Sequence, residues 1–161
     1  MDTPSTSRKR KKRLPPLEIG WREWVAFPDL YDGSIKAKID TGAKTSAIHA
    51  FRIKEMMQGG APHVQFFLHP EQKRKKPEIR CIAPIIDIRR IRSSNGVAQE
   101  RFIIETPMAM GGRVWPVEIS LTNRDEMGFR LLIGRDAISK RTIIHPGKSY
   151  LLGRKEDAKT K

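Results

Sequence analysis

A single cysteine, Cys81, leaves no intrachain disulfide possible in this chain, so a disulfide framework is excluded. Aromatic residues make up only 7%, low for a surface that reads single-stranded bases by stacking, and Trp21, Trp24 and Trp115 are assigned to core and interface packing. No apolar run approaches the roughly 20 residues of a membrane helix. The basic N-terminus is followed by no apolar stretch of the secretory kind, so a cytoplasmic protein without a membrane partner is the expectation. His-Glu-x-x-His is missing, as is Gly-x-x-x-x-Gly-Lys-Ser/Thr. The four histidines, His49, His63, His69 and His145, are scattered. His63 and His69 flank one strand-like run and could meet in space, while His49 reads as a packed strand residue. Neither a metal nor a nucleotide cofactor is expected from these residues.

What the chain has in excess is positive charge. Lys and Arg number 32 against 18 acids, a formal net charge of +14 in 161 residues. Arg8 to Arg13 are all basic, and Lys73 to Lys76, Arg89, Arg90, Arg92 and Arg101 keep the central body basic as well. Such a field concentrates acidic partners without saying which. The length suits one domain able to bury a core. Residues 1–16 read as a disordered basic tail ending at Pro15-Pro16, residues 17–152 as the domain, and 153–161 as a second disordered tail.

Short strand-like runs recur between turn signals. They cover residues 24–27, 35–39, 46–53, 64–68, 79–88, 101–105, 114–121, 131–133 and 142–144. Asp32-Gly33, Gly59-Gly60, Asn95-Gly96, Gly111-Gly112 and Pro146-Gly147 separate them. Helix is expected only at Ile53–Met57 and Asp136–Lys140. The pattern is all-β, a barrel-like or sandwich domain. Cys81, inside an apolar run, reads as a buried small residue rather than a reactive thiol.

Two motifs point to chemistry. Asp40-Thr41-Gly42-Ala43 follows the alternating run Ile35 to Ile39, which places a carboxylate where a strand opens into a tight glycine-containing turn. Leu132-Ile133-Gly134-Arg135-Asp136 comes much later, before the short helix. Between them, Ser93-Ser94-Asn95-Gly96 caps a hairpin running from about Ile85 to Ile104, because Asn-Gly accepts positive φ at both residues. Its arms carry Arg89, Arg90, Arg92 and Arg101, which makes it either a solvated surface hairpin or a mobile basic flap.

In that order these features resemble a retropepsin-type aspartic protease. The wider segments Gly20–Trp24, Lys36–Ala47, Arg92–Gly96 and Leu121–Arg124 resemble a bacterial retropepsin-like family that carries the label ATP-dependent zinc protease. The likeness spans roughly residues 18–152. It implies a closed barrel with a flap hairpin and one short C-terminal helix, and an aspartic endopeptidase. Thr41 would brace two catalytic loops, and Gly42 would let a substrate backbone approach. Ala43, Lys44, Arg92, Ser93, Ser94, Asn95 and Gly96 would contact substrate. Ile133 and Gly134 would pack beneath the loop, with Arg135 and Asp136 supporting it.

Aspartic proteolysis needs two carboxylates about 3 Å apart sharing one proton. With one Asp-Thr-Gly per chain, a homodimer contributing Asp40 from each subunit supplies the pair. In retroviral relatives the residue after Asp-Thr-Gly-Ala is acidic and pairs with the arginine of the Gly-Arg motif. Here it is Lys44, so Arg135 is expected to take another carboxylate, adjacent Asp136. The cleft becomes basic, favouring acidic peptides. Members of the family are associated with enzymes that add glutamates to protein tails, one of them on a ribosomal protein. Three function classes follow: an aspartic endopeptidase acting on acidic tails; a catalytically silent module binding such tails, ribosome components or the glutamate-ligase system; and a basic RNA-associated β-domain.

Overall fold

The computed structural model describes residues 14–92, 96–124 and 128–155. Ten strands and one helical turn follow in chain order: β1 (Leu17–Ala26), β2 (Ser34–Asp40), β3 (Ser46–His49), β4 (Phe51–Gln58), β5 (Ala61–Leu68), β6 (Ile79–Arg92), β7 (Ala98–Met110), β8 (Arg113–Thr122), β9 (Leu131–Gly134), α1 (Arg135–Ile138) and β10 (Thr142–Ser149). The expected all-β class is what the chain adopts. Among the described residues, no helix is long and apolar enough to cross a membrane.

The strands join in the order β10-β1-β2-β9-β3-β8-β7-β6-β5-β4, and Ala26 of β1 also pairs with Ala109 of β7. That one bridge shuts β1, β2, β9, β3, β8 and β7 into a ring, where a closed barrel was expected. Inside it lie Ile19, Val25, Ile35, Ala37, Ile48, Ile104, Met108, Ile119, Leu131 and Ile133, all buried. Period-2 alternation explains the sorting. In β2, Ile35, Ala37 and Ile39 face the core while Lys36, Lys38 and Asp40 take the opposite face.

The glycine pairs act as hairpin turns. Gly59-Gly60 (φ 59 and 77) joins β4 to β5, and Gly111-Gly112 (φ 60 and 77) joins β7 to β8. Both residues being left-handed gives the twist that two-residue hairpins require. The same turn corrects one expectation. Ile53–Met57 is strand, not helix, because β4 pairs with β5 across Gly59-Gly60, and that pairing outweighs a helix only a turn long. The expected single run 46–53 is broken at Ala50, with Arg52 at φ 49 inside a register shift. Pro146-Gly147 does not end a strand either. It sits within β10, at the sheet's edge, where a missing N–H costs no ladder bond.

Buried Glu23 ties the C-terminal segment to the ring. Its carboxylate accepts the N–H groups of Gly20 at 2.7 Å, Leu151 at 2.9 Å and Leu152 at 3.2 Å. Tyr150 then stacks on Trp24 at 6.0 Å, and Ser34 Oγ donates to the Lys155 carbonyl at 2.7 Å. Residues 153–155 therefore lie against β1 and β2; 156–161 and 1–13 fall outside the described residues.

Candidate active site

β2 and β3 are consecutive but do not pair. β9 runs between them, parallel to β2 (Asp40 opposite Gly134) and antiparallel to β3 (Ala47 opposite Leu132). The turn from Thr41 to Thr45 must therefore cross the end of β9, a span of two interstrand spacings or roughly 10 Å. It crosses at Gly134. A Cβ there would stand 2.7 Å from Thr45 C, 2.8 Å from the Lys44 carbonyl oxygen and 2.9 Å from Ser46 N. All three are backbone, so only glycine fits.

The crossing turn is held from every side. Within it, the Ala43 N–H donates to the Asp40 carbonyl at 3.2 Å, and the Gly42 N–H donates to Asp40 Oδ1 at 3.1 Å. From β9 and α1, the Gly134 N–H donates to Ser46 Oγ at 3.0 Å, the Arg135 N–H to the Ala43 carbonyl at 2.9 Å, and the Asp136 N–H to the Lys44 carbonyl at 3.1 Å. The Arg135 guanidinium reaches over to the Thr41 and Gly42 carbonyls, 3.3 Å each. Trp115 Nε1 donates to the Ala137 carbonyl at 2.8 Å and pins α1 to β8. Ser120 Oγ donates to the Ser46 carbonyl at 3.1 Å.

Arg135 corrects an expectation. Its guanidinium is satisfied by the two carbonyls of the Asp-Thr-Gly turn instead of by Asp136, so loss of an acid at Lys44 leaves no unmatched cation there. Asp40 is half-buried at the end of β2, while Thr41, Gly42 and Lys44 are exposed and Ala43 is half-buried. The turn therefore presents one half-buried carboxylate on braced backbone at an open surface.

The hairpin of β6 and β7 forms as expected, with Arg89 opposite Arg101, Arg90 opposite Glu100 and Arg92 opposite Ala98. Gly96 has φ 82, as a hairpin tip requires. Ser93, Ser94 and Asn95 lie outside the described residues. The four arginines do not act as one basic set. Arg89 binds Asp87 at 2.7 Å and Glu118 at 2.8 Å; those bonds raise its pKa and lower that of Asp87. Arg101 is buried, and Arg90 and Arg92 are exposed.

The histidines correct the expected scatter. His69 meets His49, not His63: the two rings stack at 5.6 Å, and Phe51 lies 4.2 Å from His69. Stacked faces do not converge ring nitrogens on a metal. Among the described residues no three His, Cys, Asp or Glu side chains form a cation-binding group, so the zinc of the label finds no donor set there. Cys81 is buried, as expected, and burial pushes its thiol up to about 12. Sequence reading missed Glu23, Ser46 and Ser120, whose roles depend on pairings between distant strands; Asp40 and Gly134 carried motif signals and those did not.

Comparisons with known proteins fit this geometry. Residues 18–155 match the profile of the RimB-like family, described as retropepsin-like aspartic endopeptidase RimB, a description without zinc or ATP. Two curated relatives share the name probable alpha-L-glutamate ligase. The protein of Shewanella pealeana (strain ATCC 700345 / ANG-SQ1) is 47% identical over 139 residues, 86% of this chain and 30% of that one. That of Desulfotalea psychrophila (strain LSv54 / DSM 12343) is 44% identical over 135 residues, covering 84% and 29%. The chain thus spans under a third of the curated relatives it matches. A crystal structure from Legionella pneumophila, of unknown function, superposes with a TM-score of 0.69 at 24% identity, covering 86% of this chain and 99% of that chain, and so shares the fold. By its match over nearly the whole described region, the chain belongs to the RimB-like family of retropepsin-like proteins.

Proposed function

We propose that the chain is an aspartic endopeptidase that works as a homodimer, one Asp40 from each subunit. The observation that carries this reading is the braced turn. A carboxylate held on backbone fixed by Gly134, Arg135 and Ser46 is preorganised, and a peptidase needs that fixed geometry. Two such acids across a two-fold axis share a proton. The ionised one takes a proton from water as the water attacks the scissile carbonyl. The protonated one donates to the carbonyl oxygen. In this reading Thr41, exposed beside Asp40, braces its counterpart, and Gly42 keeps the approach open: a Cβ there would press on Asp40 Oδ1 at 3.3 Å.

The substrate is an acidic peptide tail. Lys36 and Lys38 share Asp40's face of β2, Lys44 stands exposed in the turn, and Arg90 and Arg92 are exposed on the hairpin. The relatives' name, alpha-L-glutamate ligase, supplies the complementary chemistry: a peptidase beside a ligase that adds glutamates would trim what the ligase builds. The ligase itself is the partner that name suggests, and ribosome components are carried over from the family resemblance alone. Cleavage of a glutamate-rich and a charge-neutral peptide by wild type and Asp40→Asn, from acidic to neutral pH, tests it. Asparagine keeps the shape but cannot hold the proton. Undiminished cleavage by Asp40→Asn would remove Asp40 from the chemistry, and binding without cleavage by either protein would favour the silent tail-binding module.

A further inference from the structure

The run Lys73-Arg74-Lys75-Lys76, which the chemistry at Asp40 does not use, lies in the loop between β5 and β6 with all four residues exposed. Neighbouring cations repel one another, and a loop needed only for solubility could spread them apart. This loop is fastened instead. Arg130, 7% exposed, donates to the carbonyl of Glu71 at 2.6 Å and to that of Arg74. Gln72 Nε2 donates to the Gly128 carbonyl, and the Arg74 N–H closes a turn onto the Glu71 carbonyl at 3.2 Å. Inside that turn Lys73 has φ 63, a conformation that a side chain adopts only at a cost. Arg74 meets Glu71 at 3.5 Å, while Lys73, Lys75 and Lys76 have no ion pair among the described residues.

Lys75 also lines a cavity of about 300 Å³, so loop and cavity form one surface. The cavity is walled by rings: His49, Phe51 and His69, with Phe51 stacked 4.2 Å from His69. Asn123 adds an amide that both donates and accepts, and Arg52 and Glu78 complete the lining as an ion pair of 3.4 Å. This combination separates the polyanions that a basic loop could hold. A glutamate-rich tail would use the lysines but brings nothing for a ring-lined hollow. A nucleic acid brings phosphates for the lysines and a flat base for the rings. The base must leave its stack to enter, which requires a single strand. One hollow serves one base, so an aromatic content of 7% is no obstacle. β3 keeps the two surfaces apart, with Ser46 at the Asp40 turn and His49 at the cavity, three residue steps or about 10 Å of strand.

We propose that the Lys73–Lys76 loop and the ring-lined cavity beside it bind single-stranded nucleic acid, with the lysines on its phosphates and one base in the cavity. The bracing by Arg130 then has a purpose. It gathers the cations before the ligand arrives, so binding does not have to order them. The surface is distinct from the Asp40 turn, and the proposal does not rest on peptidase chemistry.

Fluorescence anisotropy of a short labelled single strand, as RNA and as DNA in separate arms, is read against the full chain over a range of salt. Binding by at least one strand is expected, and failure of both would overturn the proposal. The combined variant Lys73→Gln, Lys75→Gln, Lys76→Gln changes only exposed side chains, and thermal unfolding checks that it folds as wild type does. It is expected to bind roughly ten- to a hundredfold more weakly at about 0.1 M salt, with a salt slope shallower by about two, since each phosphate contact contributes about 0.7. A strand of the same length without bases is expected to bind wild type about tenfold more weakly than the intact strand, and Asn123→Ala to narrow that difference. Asp40→Asn is expected to bind as wild type does. Unchanged affinity and slope in the triple variant would place binding on the run Arg8 to Arg13 and overturn the proposal. Equal binding of the strand without bases would overturn the role of the cavity. Displacement of the strand by poly-glutamate at matched charge would make the loop a site for acidic protein and overturn the nucleic-acid assignment.

Discussion

Gly134→Ala adds one methyl group at the point where the fold is tightest. The new Cβ would meet backbone atoms of three consecutive residues of the crossing turn at 2.7, 2.8 and 2.9 Å, and none is a side chain that can swing away. Reaching ordinary contact means lifting the turn by about half an ångström or more, against five hydrogen bonds from β9 and α1. Overpacking of this kind costs about 1–3 kcal/mol, which for a domain of this size lowers Tm by about 3–10 °C. The catalytic consequence is larger, since a displacement near 1 Å at the reacting group costs about a hundredfold in rate. Thermal unfolding and peptide cleavage are measured together, with Gly147→Ala as the control. A Cβ at Gly147 meets nothing within 4 Å, so that variant should match wild type in both assays. Wild-type stability and activity in Gly134→Ala would refute the claim that this close approach fixes Asp40.

Arg135→Met should leave the ring folded but free the Thr41 and Gly42 carbonyls, so cleavage falls at least tenfold with a Tm change of only a few degrees, read by the same pair of assays. Glu23→Gln weakens the clasp on Leu151 and Leu152, and is expected to cost about 1–3 kcal/mol and to make the C-terminal segment an early site of limited proteolysis. The Cys81 thiol, raised from 9.0 to about 12, should resist alkylation at pH 8 until denaturant is added. Its linkage has a definite sign: the unfolded chain ionises first, so this contribution to stability is whole below about pH 9 and fades as pH rises toward 12. Cys81→Ala should lack that alkaline loss in urea titrations.

Legibility in the sequence followed the range of the interaction. Asp40 and Gly134 were readable because each sits in a local pattern, a strand ending in glycine-containing turn chemistry. Glycine pairs marked two hairpins for the same reason. The ring was not readable from composition, because β9 inserts between β2 and β3 and nothing within either strand encodes that order. The partner of Arg135 was misassigned to its neighbour Asp136, since sequence proximity says nothing about a turn 94 residues earlier. Arg101 reads like any hairpin arginine, yet the fold buries it. Ile53–Met57 was taken for helix because an isolated segment hides its cross-strand partner.

The central claim is that each active site draws one Asp40 from each of two chains. Subunit mixing tests it most directly: wild type and Asp40→Asn are unfolded, combined in equal amounts, refolded together and assayed for cleavage of a glutamate-rich peptide. A shared site leaves about a quarter of the activity of an all-wild-type sample at the same total concentration, because only pairs of two intact chains hydrolyse. Half the activity, scaling linearly with wild-type fraction, would mean that each chain works alone and would contradict the account.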